Sequence, residues 1–246
     1  MNRIDLINEI ILRTGKTTYL EIGVARGTTF FQINCKKKIA IDPKFMFNGL
    51  KKLIWNYKNP TNKNNQYFSI TSNEFFDKQE DFINRLKGID VIFVDGLHTF
   101  ENSLQDVLNC LKHIKEDGYI IMHDCFPPYE AAALPTKTYP TVEERKVEGW
   151  TGAWCGDVWK SIVYLRKHYE SDLNISVLNT DFGLGIITIK KSVPKKLSID
   201  KDSFNTIDCM TYKEMKKNAA TILNLKDVDN KEETIISILS KHKIQA

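Results

Sequence analysis

The sequence has no cysteine pair at metal-ligand spacing, no glycine–lysine phosphate loop, no apolar run of bilayer length and no large excess of one charge. Each absence removes a class of function. The five cysteines (Cys35, Cys110, Cys125, Cys155 and Cys209) are scattered and form no C-x-x-C pair, which argues against a disulfide framework and against a cysteine zinc site. A reducing compartment is the simplest fit to that usage. A membrane span takes about 20 consecutive apolar residues, and none is present. Met1 to Leu6 lack the apolar core of a secretory signal, so the expectation is a cytoplasmic chain without membrane insertion. The formal net charge is only +4, and the lysines are spread along the chain. The runs Lys36-Lys37-Lys38 and Lys190-Lys191 read as solvated surface. A nucleic-acid groove would show a denser basic stripe with interleaved aromatics. There is no internal repeat and no low-complexity segment.

What is present is an alternation of strand and helix patterns. At 246 residues the chain can bury one large core or two small ones. Apolar spacing predicts an N-terminal helix over 4–12, a strand over 18–22, and a helix opening at Thr28. A short strand over 38–41 stops at Asp42-Pro43, because proline cannot continue a central strand. A third strand is predicted over 66–70, then a helix over 72–86 with Ser72 as its N-cap. The run 90–94 reads as a buried strand, 100–114 as a helix and 118–123 as a further strand. This order implies a mostly parallel sheet with helices on both faces. Prolines are few, and four of the seven (Pro127, Pro128, Pro135 and Pro140) fall between Cys125 and Cys155. So long an irregular stretch in a compact domain is usually a lid or binding loop. A helix follows over 157–168, then antiparallel strands over 174–179 and 183–190 around Thr180-Asp181-Phe182. The lysine-rich tail predicts helices over 213–225 and 232–241.

Three strand ends carry polar chemistry: Glu21-Ile22-Gly23-Val24-Ala25-Arg26-Gly27, Asp95-Gly96-Leu97-His98 and His123-Asp124. In open α/β sheets, ligands bind beyond the carboxyl ends of strands, so the three ends can share one cleft. Small residues at Gly23, Ala25 and Gly27 let a ligand approach the backbone. A helix N-terminus beyond them would favour a carboxylate or phosphate. Asp42 lies about 20 residues on, where an acid can bond a ribose. The dinucleotide fingerprint fails, because Ala25 stands for its second glycine and Gly27 comes one position early. Glu21, two before the first glycine, would sit poorly beside a pyrophosphate and well beside a cationic ligand.

Glu21 to Gly27 with Asp42 resembles the cofactor motif of class I S-adenosylmethionine-dependent methyltransferases. Val94 to Glu101, Gly118 to Asp124 and Gly156-Asp157-Val158-Trp159-Lys160 with Arg166 resemble one branch of that family. It holds bacterial O-methyltransferases, including sugar O-methyltransferases associated with surface polysaccharides. The resemblance runs over residues 15–190. It implies a Rossmann-like α/β fold with a mostly parallel seven-stranded sheet, an antiparallel last strand and helices on both faces. The expected division is a methyltransferase domain over 1–190, with a substrate lid over 125–155, and a helical extension over 191–246.

The same resemblance puts Glu21, Gly23, Ala25, Gly27, Asp42, Ser72 and Asp95 on the cofactor. It assigns Asp95 and Asp124 to a divalent cation. His123 stands where some relatives carry a second acid. Carboxylates with water suit Mg²⁺, and an added imidazole shifts the preference towards Mn²⁺ or Fe²⁺. An imidazole ordinarily titrates near neutral pH and suits removal of a hydroxyl proton, so His98 is the expected base. Tyr129, Trp150, Trp154 and Arg166 are the substrate-side candidates. The plainer readings are a turn cap for Asp124, a packed ring for His123, a loop hydrogen bond for His98 and core anchors for the tryptophans. His113, His168 and His242 are expected on the surface.

Pro127-Pro128-Tyr129 is similar to the turn with which amino-directed DNA methyltransferases hold an amine. It follows the wrong strand and lacks the leading acid or amide, so no nucleic-acid partner is expected. The expected partner is a small sugar acceptor, methylated at a hydroxyl, with a homo-oligomer open through the tail helices. The alternatives are a catechol-type or small-phenol O-methyltransferase and a non-catalytic scaffold of the same fold.

Overall fold

The computed structural model describes residues 1–194 and 196–240. Helix α1 (Arg3–Thr14) opens with an Asn2–Asp5 capping box. Strand β1 (Thr18–Ile22) is followed by β2 (Lys37–Ile41), helix α2 (Gly49–Lys58) and β3 (Gln66–Phe68). Helices α3 (Ser72–Lys78) and α4 (Glu80–Leu86) lead into β4 (Ile89–Val94), α5 (Phe100–Leu111) and β5 (Ile114–Met122). Beyond the long irregular segment come α6 (Trp159–Tyr169), β6 (Leu173–Leu178) and β7 (Leu184–Ile189). The tail holds α7 (Lys201–Asp208), α8 (Tyr212–Ile222), β8 (Leu225–Lys226) and α9 (Lys231–Ser240).

The sheet order is β3-β2-β1-β4-β5-β7-β6-β8. β7 runs antiparallel between β5 and β6, and the other neighbouring pairs are parallel. β1, β4 and β7 are buried along their whole length, as strands covered on both faces must be. One face packs Leu104, Leu108, Trp159 and Ile162 against the sheet, and the other packs Leu6, Ile10, Phe30 and Phe31. Chain direction across the sheet reverses between β1 and β4. The crevice beyond the carboxyl ends at that switch point is where such folds bind ligands.

The parallel sheet and closing antiparallel pair match the sequence reading. β8 makes the sheet eight-stranded rather than seven, and the tail expected to be wholly helical supplies that strand. The helix expected from Thr28 is only a 3₁₀ turn at Phe30–Gln32. Its carbonyls are taken from outside: Lys38 Nζ donates to Phe30 and Ile33 O, and Asn59 Nδ2 donates to Phe31 and Ile33 O. No α-helix N-terminus therefore stands behind the Gly23–Gly27 turn. The helix expected over 72–86 is two helices broken at Gln79, capped by Thr71 rather than Ser72. β5 begins at Ile114, earlier than expected, and β3 stops at Phe68. Helices α2 and α7 carry apolar residues at helical spacing, yet neither is among the elements expected from the sequence. Lys241 and His242 lie outside the described residues.

The β1 and β4 ends meet closely. Gly23 has φ +84°, and a Cβ there would lie 1.9 Å from the Asp95 carbonyl oxygen. Gly23→Ala should lower stability by about 2–3 kcal/mol in urea unfolding. Gly15→Ala, at φ +67° but in open space, should cost only about 1 kcal/mol. Equal losses in the two variants would contradict the close approach.

Candidate active site

A cavity of about 790 Å³ opens at the carboxyl ends of β1, β2, β4 and β5, within the roughly 300–1,000 Å³ usual for small-molecule sites. Gly23, Ala25, Asp42 and Ser72 line one side, and Asp95, His98, His123, Asp124 and Trp154 line the other. Ten of the fourteen sequence-derived candidates are thus accounted for, nine at its wall and Gly27 in the adjoining turn.

On the first side, Asp42 braces the turn after β1. Its Oδ2 accepts from the Ala25 N–H at 2.7 Å and its Oδ1 from the Lys44 N–H at 2.7 Å. That bracing holds Ala25 at φ +43°, a left-handed conformation a residue with a Cβ adopts at a cost. A Cβ on Gly27 would strike the Phe31 ring at 2.4 Å, so this glycine serves packing within the turn. Ser72 Oγ donates to Asp106 Oδ1. Asp106, from the buried face of α5, also reaches the cavity wall. Burial pushes its pKa up to about 7, only partly opposed by Ser72. Asp106 was missed in the sequence because it sits at a core position of an amphipathic helix.

The second side is a charged cluster. Single atoms of Asp95, His98 and Asp124 lie within 4.8 Å of one another. His98 Nε2 is 3.4 Å from Asp95 Oδ1 and 3.2 Å from Asp124 Oδ2. Its Nδ1 is 2.7 Å from the Trp154 carbonyl oxygen, which can only accept. The proton is thereby fixed on Nδ1, and Nε2 is aimed at the carboxylates. The Trp154 ring stacks on His98 at 5.1 Å, and its Nε1 donates to the Leu134 carbonyl. Asp124 sits at φ +61°, the kind of backbone strain that collects at functional sites.

His123 lies beneath the same pair, with Nδ1 3.0 Å from Asp124 Oδ2 and 3.3 Å from Asp95 Oδ1. Arg3 Nη1 is 2.7 Å from His123 Nε2. A guanidinium only donates, so Nε2 accepts and Nδ1 carries the proton towards the carboxylates. His123 is arranged as a donor under the cluster rather than as a ligand facing into it. Arg3 also pairs with Asp181 Oδ1 at 2.9 Å, and its backbone N–H donates to Asp181 Oδ2. Asp181 and Phe182 both have positive φ, with Gly183 N–H bonded to Thr180 O, as a tight hairpin turn between β6 and β7 requires.

Burial would raise the Asp95 pKa, but His123 and His98 more than offset that and hold it ionised. Burial opposes charge on His98, yet Asp95 and Asp124 raise its pKa to about 9. Burial pushes the Cys155 thiol up, and Asp124 adds to this, so this cavity-lining cysteine is no nucleophile.

Besides Gly27, four candidates lie off the cavity wall. Glu21 is buried on the other side of β1, where it accepts from the Tyr19 hydroxyl. Tyr129 bonds Thr151, and Trp150 stands outside the cavity lining. Arg166 is spent on the fold, pairing with Glu170 at 2.8 Å and donating to Ile175 O. His113 stacks on Phe76 and His168 on Tyr164, both half-buried and away from the cavity.

Residues 20–125, from β1 to just past β5, match the family described as a methyltransferase domain. Over that segment the chain is similar to this family. No curated protein matches the chain. Among solved structures, a SAH-bound methyltransferase of Podospora anserina aligns with a TM-score of 0.51 and 14% identity, over 77% of this chain and 78% of that one. A putative O-methyltransferase from Klebsiella pneumoniae aligns with a TM-score of 0.55 and 10% identity, over 76% and 79%. At such identities the likeness is one of fold, and the fold is that of class I methyltransferases.

Glu21 supplies a test of its burial. Desolvation raises its pKa to about 8, against roughly 4.3 for a free side chain. Between these values the folded protein binds a proton that the unfolded chain has lost, so stability falls as pH rises from about 4.5 to 8. Glu21→Gln should flatten that decline in urea unfolding across the window. An identical pH slope in the variant would contradict the protonated, buried carboxyl.

Proposed function

We propose that the chain is an S-adenosylmethionine-dependent O-methyltransferase that methylates a sugar hydroxyl with the help of a divalent cation. The observation that carries this reading is one cavity joining the Gly23–Ala25 turn and Asp42 to the Asp95–His98–Asp124 cluster. Asp42 lies where a ribose would be bonded, and Ser72 with Asp106 offers polar atoms for a base. The Podospora relative was solved with SAH, the demethylated form of the same cofactor, which fits this assignment.

The cluster suits a cation. Two carboxylate oxygens and an imidazole nitrogen converge, and that imidazole donates its other N–H to a backbone carbonyl, the outer-shell bond typical of metal-binding histidines. Mixed O and N donors suit Mn²⁺, with Mg²⁺ as the all-oxygen alternative. When bound, the cofactor supplies a methyl on a positively charged sulfur, and the cation stabilises charge on the acceptor oxygen. Asp95, His98 and Asp124 would hold the cation and orient the hydroxyl. His123, held from behind by Arg3, keeps the two carboxylates aimed and Asp95 ionised. His98 Nε2 cannot ligate and take up a proton at the same time, so under the cation reading the hydroxyl, acidified by the cation, would release its proton to water at the cavity mouth, and no histidine base is needed.

The sugar acceptor rests on the resemblance of the Asp95–His98 and His123–Asp124 segments, with Trp154 and Tyr139 as faces for a sugar ring. The same aromatic walls favour the second reading, a small phenol. A turnover panel of nucleotide-activated sugars and catechols separates the two.

Calorimetry should show S-adenosylmethionine binding, weakened in Asp42→Ala; absence of binding by the native protein would sink the cofactor assignment. Chelation should abolish activity and Mn²⁺ should restore it. His98→Ala should lower turnover about 10²–10⁴-fold and weaken Mn²⁺ binding. Chelator-insensitive turnover that still needs His98 would return that residue to the role of base.

A further inference from the structure

Among the described residues, α2 is the only α-helix with no buried residue. Leu50, Leu53, Ile54 and Tyr57 recur at i, i+3, i+4 and i+7, the spacing of one helix face. That face points outwards, with exposures of 65, 66, 45 and 90%. Met46, just before the helix, is 56% exposed. The other side of α2 holds it to the body: Trp55 stacks on Phe31, and Lys52 sits over the Tyr67 ring at 3.9 Å. Scattered surface apolar residues need no explanation, but a contiguous group marks an interaction surface.

The charge around this stripe has one sign. Residues 43–73 contain five lysines (Lys44, Lys51, Lys52, Lys58 and Lys63) and no aspartate or glutamate. A symmetric contact with a second copy would set these lysines against their own equivalents, and like charges across an interface oppose association. The complement of an apolar stripe flanked by lysines is an anionic bilayer surface.

We infer that α2 and its flanks dock on anionic lipid, with Leu50, Leu53, Ile54 and Tyr57 entering the headgroup boundary and Lys44, Lys58 and Lys63 facing lipid phosphates. The contact is peripheral, since no described helix is long and apolar enough to cross a membrane. It also has a consequence for the site. Pro43, one residue before Lys44, lines the cavity, so docking would bring the cavity close to the bilayer.

The test is flotation with phosphatidylcholine vesicles, with and without phosphatidylglycerol. The native protein should float only with phosphatidylglycerol present, and less as salt rises. Leu53→Ser/Tyr57→Ser should weaken partition about tenfold or more, and Lys44→Gln or Lys58→Gln about fivefold each. These positions are exposed, and unchanged thermal unfolding of the variants would show that the fold survives. Failure of the native protein to float at low salt would overturn the proposal, as would flotation that the substitutions leave unchanged. A concentration-dependent dimer that Leu53→Ser dissolves, without flotation, would overturn it in favour of a second copy.

Discussion

Two carboxylates stand side by side at the ends of neighbouring parallel strands, and their charge must be matched. Asp95 closes β4 and Asp124 follows β5, with Asp124 almost wholly buried. An unmatched buried ion costs several kcal/mol. Three groups answer that demand: His98 from the loop after β4 and His123 from the end of β5 stand against the carboxylates, and Arg3 from the start of α1, itself paired with Asp181 of the β6–β7 turn, donates to His123 from behind. The strained backbone at Asp124, Asp181 and Phe182 gathers around the same point. A cation among Asp95, His98 and Asp124 would meet the same electrostatic need from the cavity side.

The cofactor side depends on a different constraint, the close approach of β1 to β4. Without a side chain at Gly23, the Asp95 backbone can lie against the turn. The Gly23–Ala25 turn, braced by Asp42, is thereby set beside the acid cluster. Two partners held in one cavity gain rate from proximity and alignment, which is what a transfer between cofactor and acceptor needs. The segment after β5 closes the arrangement. Trp154 fixes the His98 tautomer through its carbonyl, and Asp157 accepts from the Phe100 N–H at the start of α5.

Much of this was legible in the sequence because it lies at strand ends. The runs ending at Ile22, Val94 and Met122 are buried on both faces and read plainly as strands, and the polar residues after them are the ones that meet. What was not legible depends on side chains acting over long separations. Lys38 and Asn59 suppress the helix after Gly27 by capturing its carbonyls. Arg3 reaches His123 across the fold, and Asp106 looks like any polar residue in an amphipathic helix. Glu21 carries the resemblance to the cofactor motif yet turns away from the cavity, since neighbouring strand residues face opposite sides. Helix α2 has an apolar stripe, but nothing in a sequence says that a stripe faces solvent.

If the α2 face rests on a bilayer, the acceptor would be reached at a lipid surface, which fits a glycan precursor as well as a free sugar. The account as a whole turns on the acid–histidine cluster. Its most direct test is anomalous diffraction from crystals soaked with Mn²⁺. One peak at ligand distance from Asp95, His98 and Asp124, lost in Asp124→Asn, is the predicted result. A fully ordered cluster with no peak, and with His98 still bridging the two carboxylates, would contradict it.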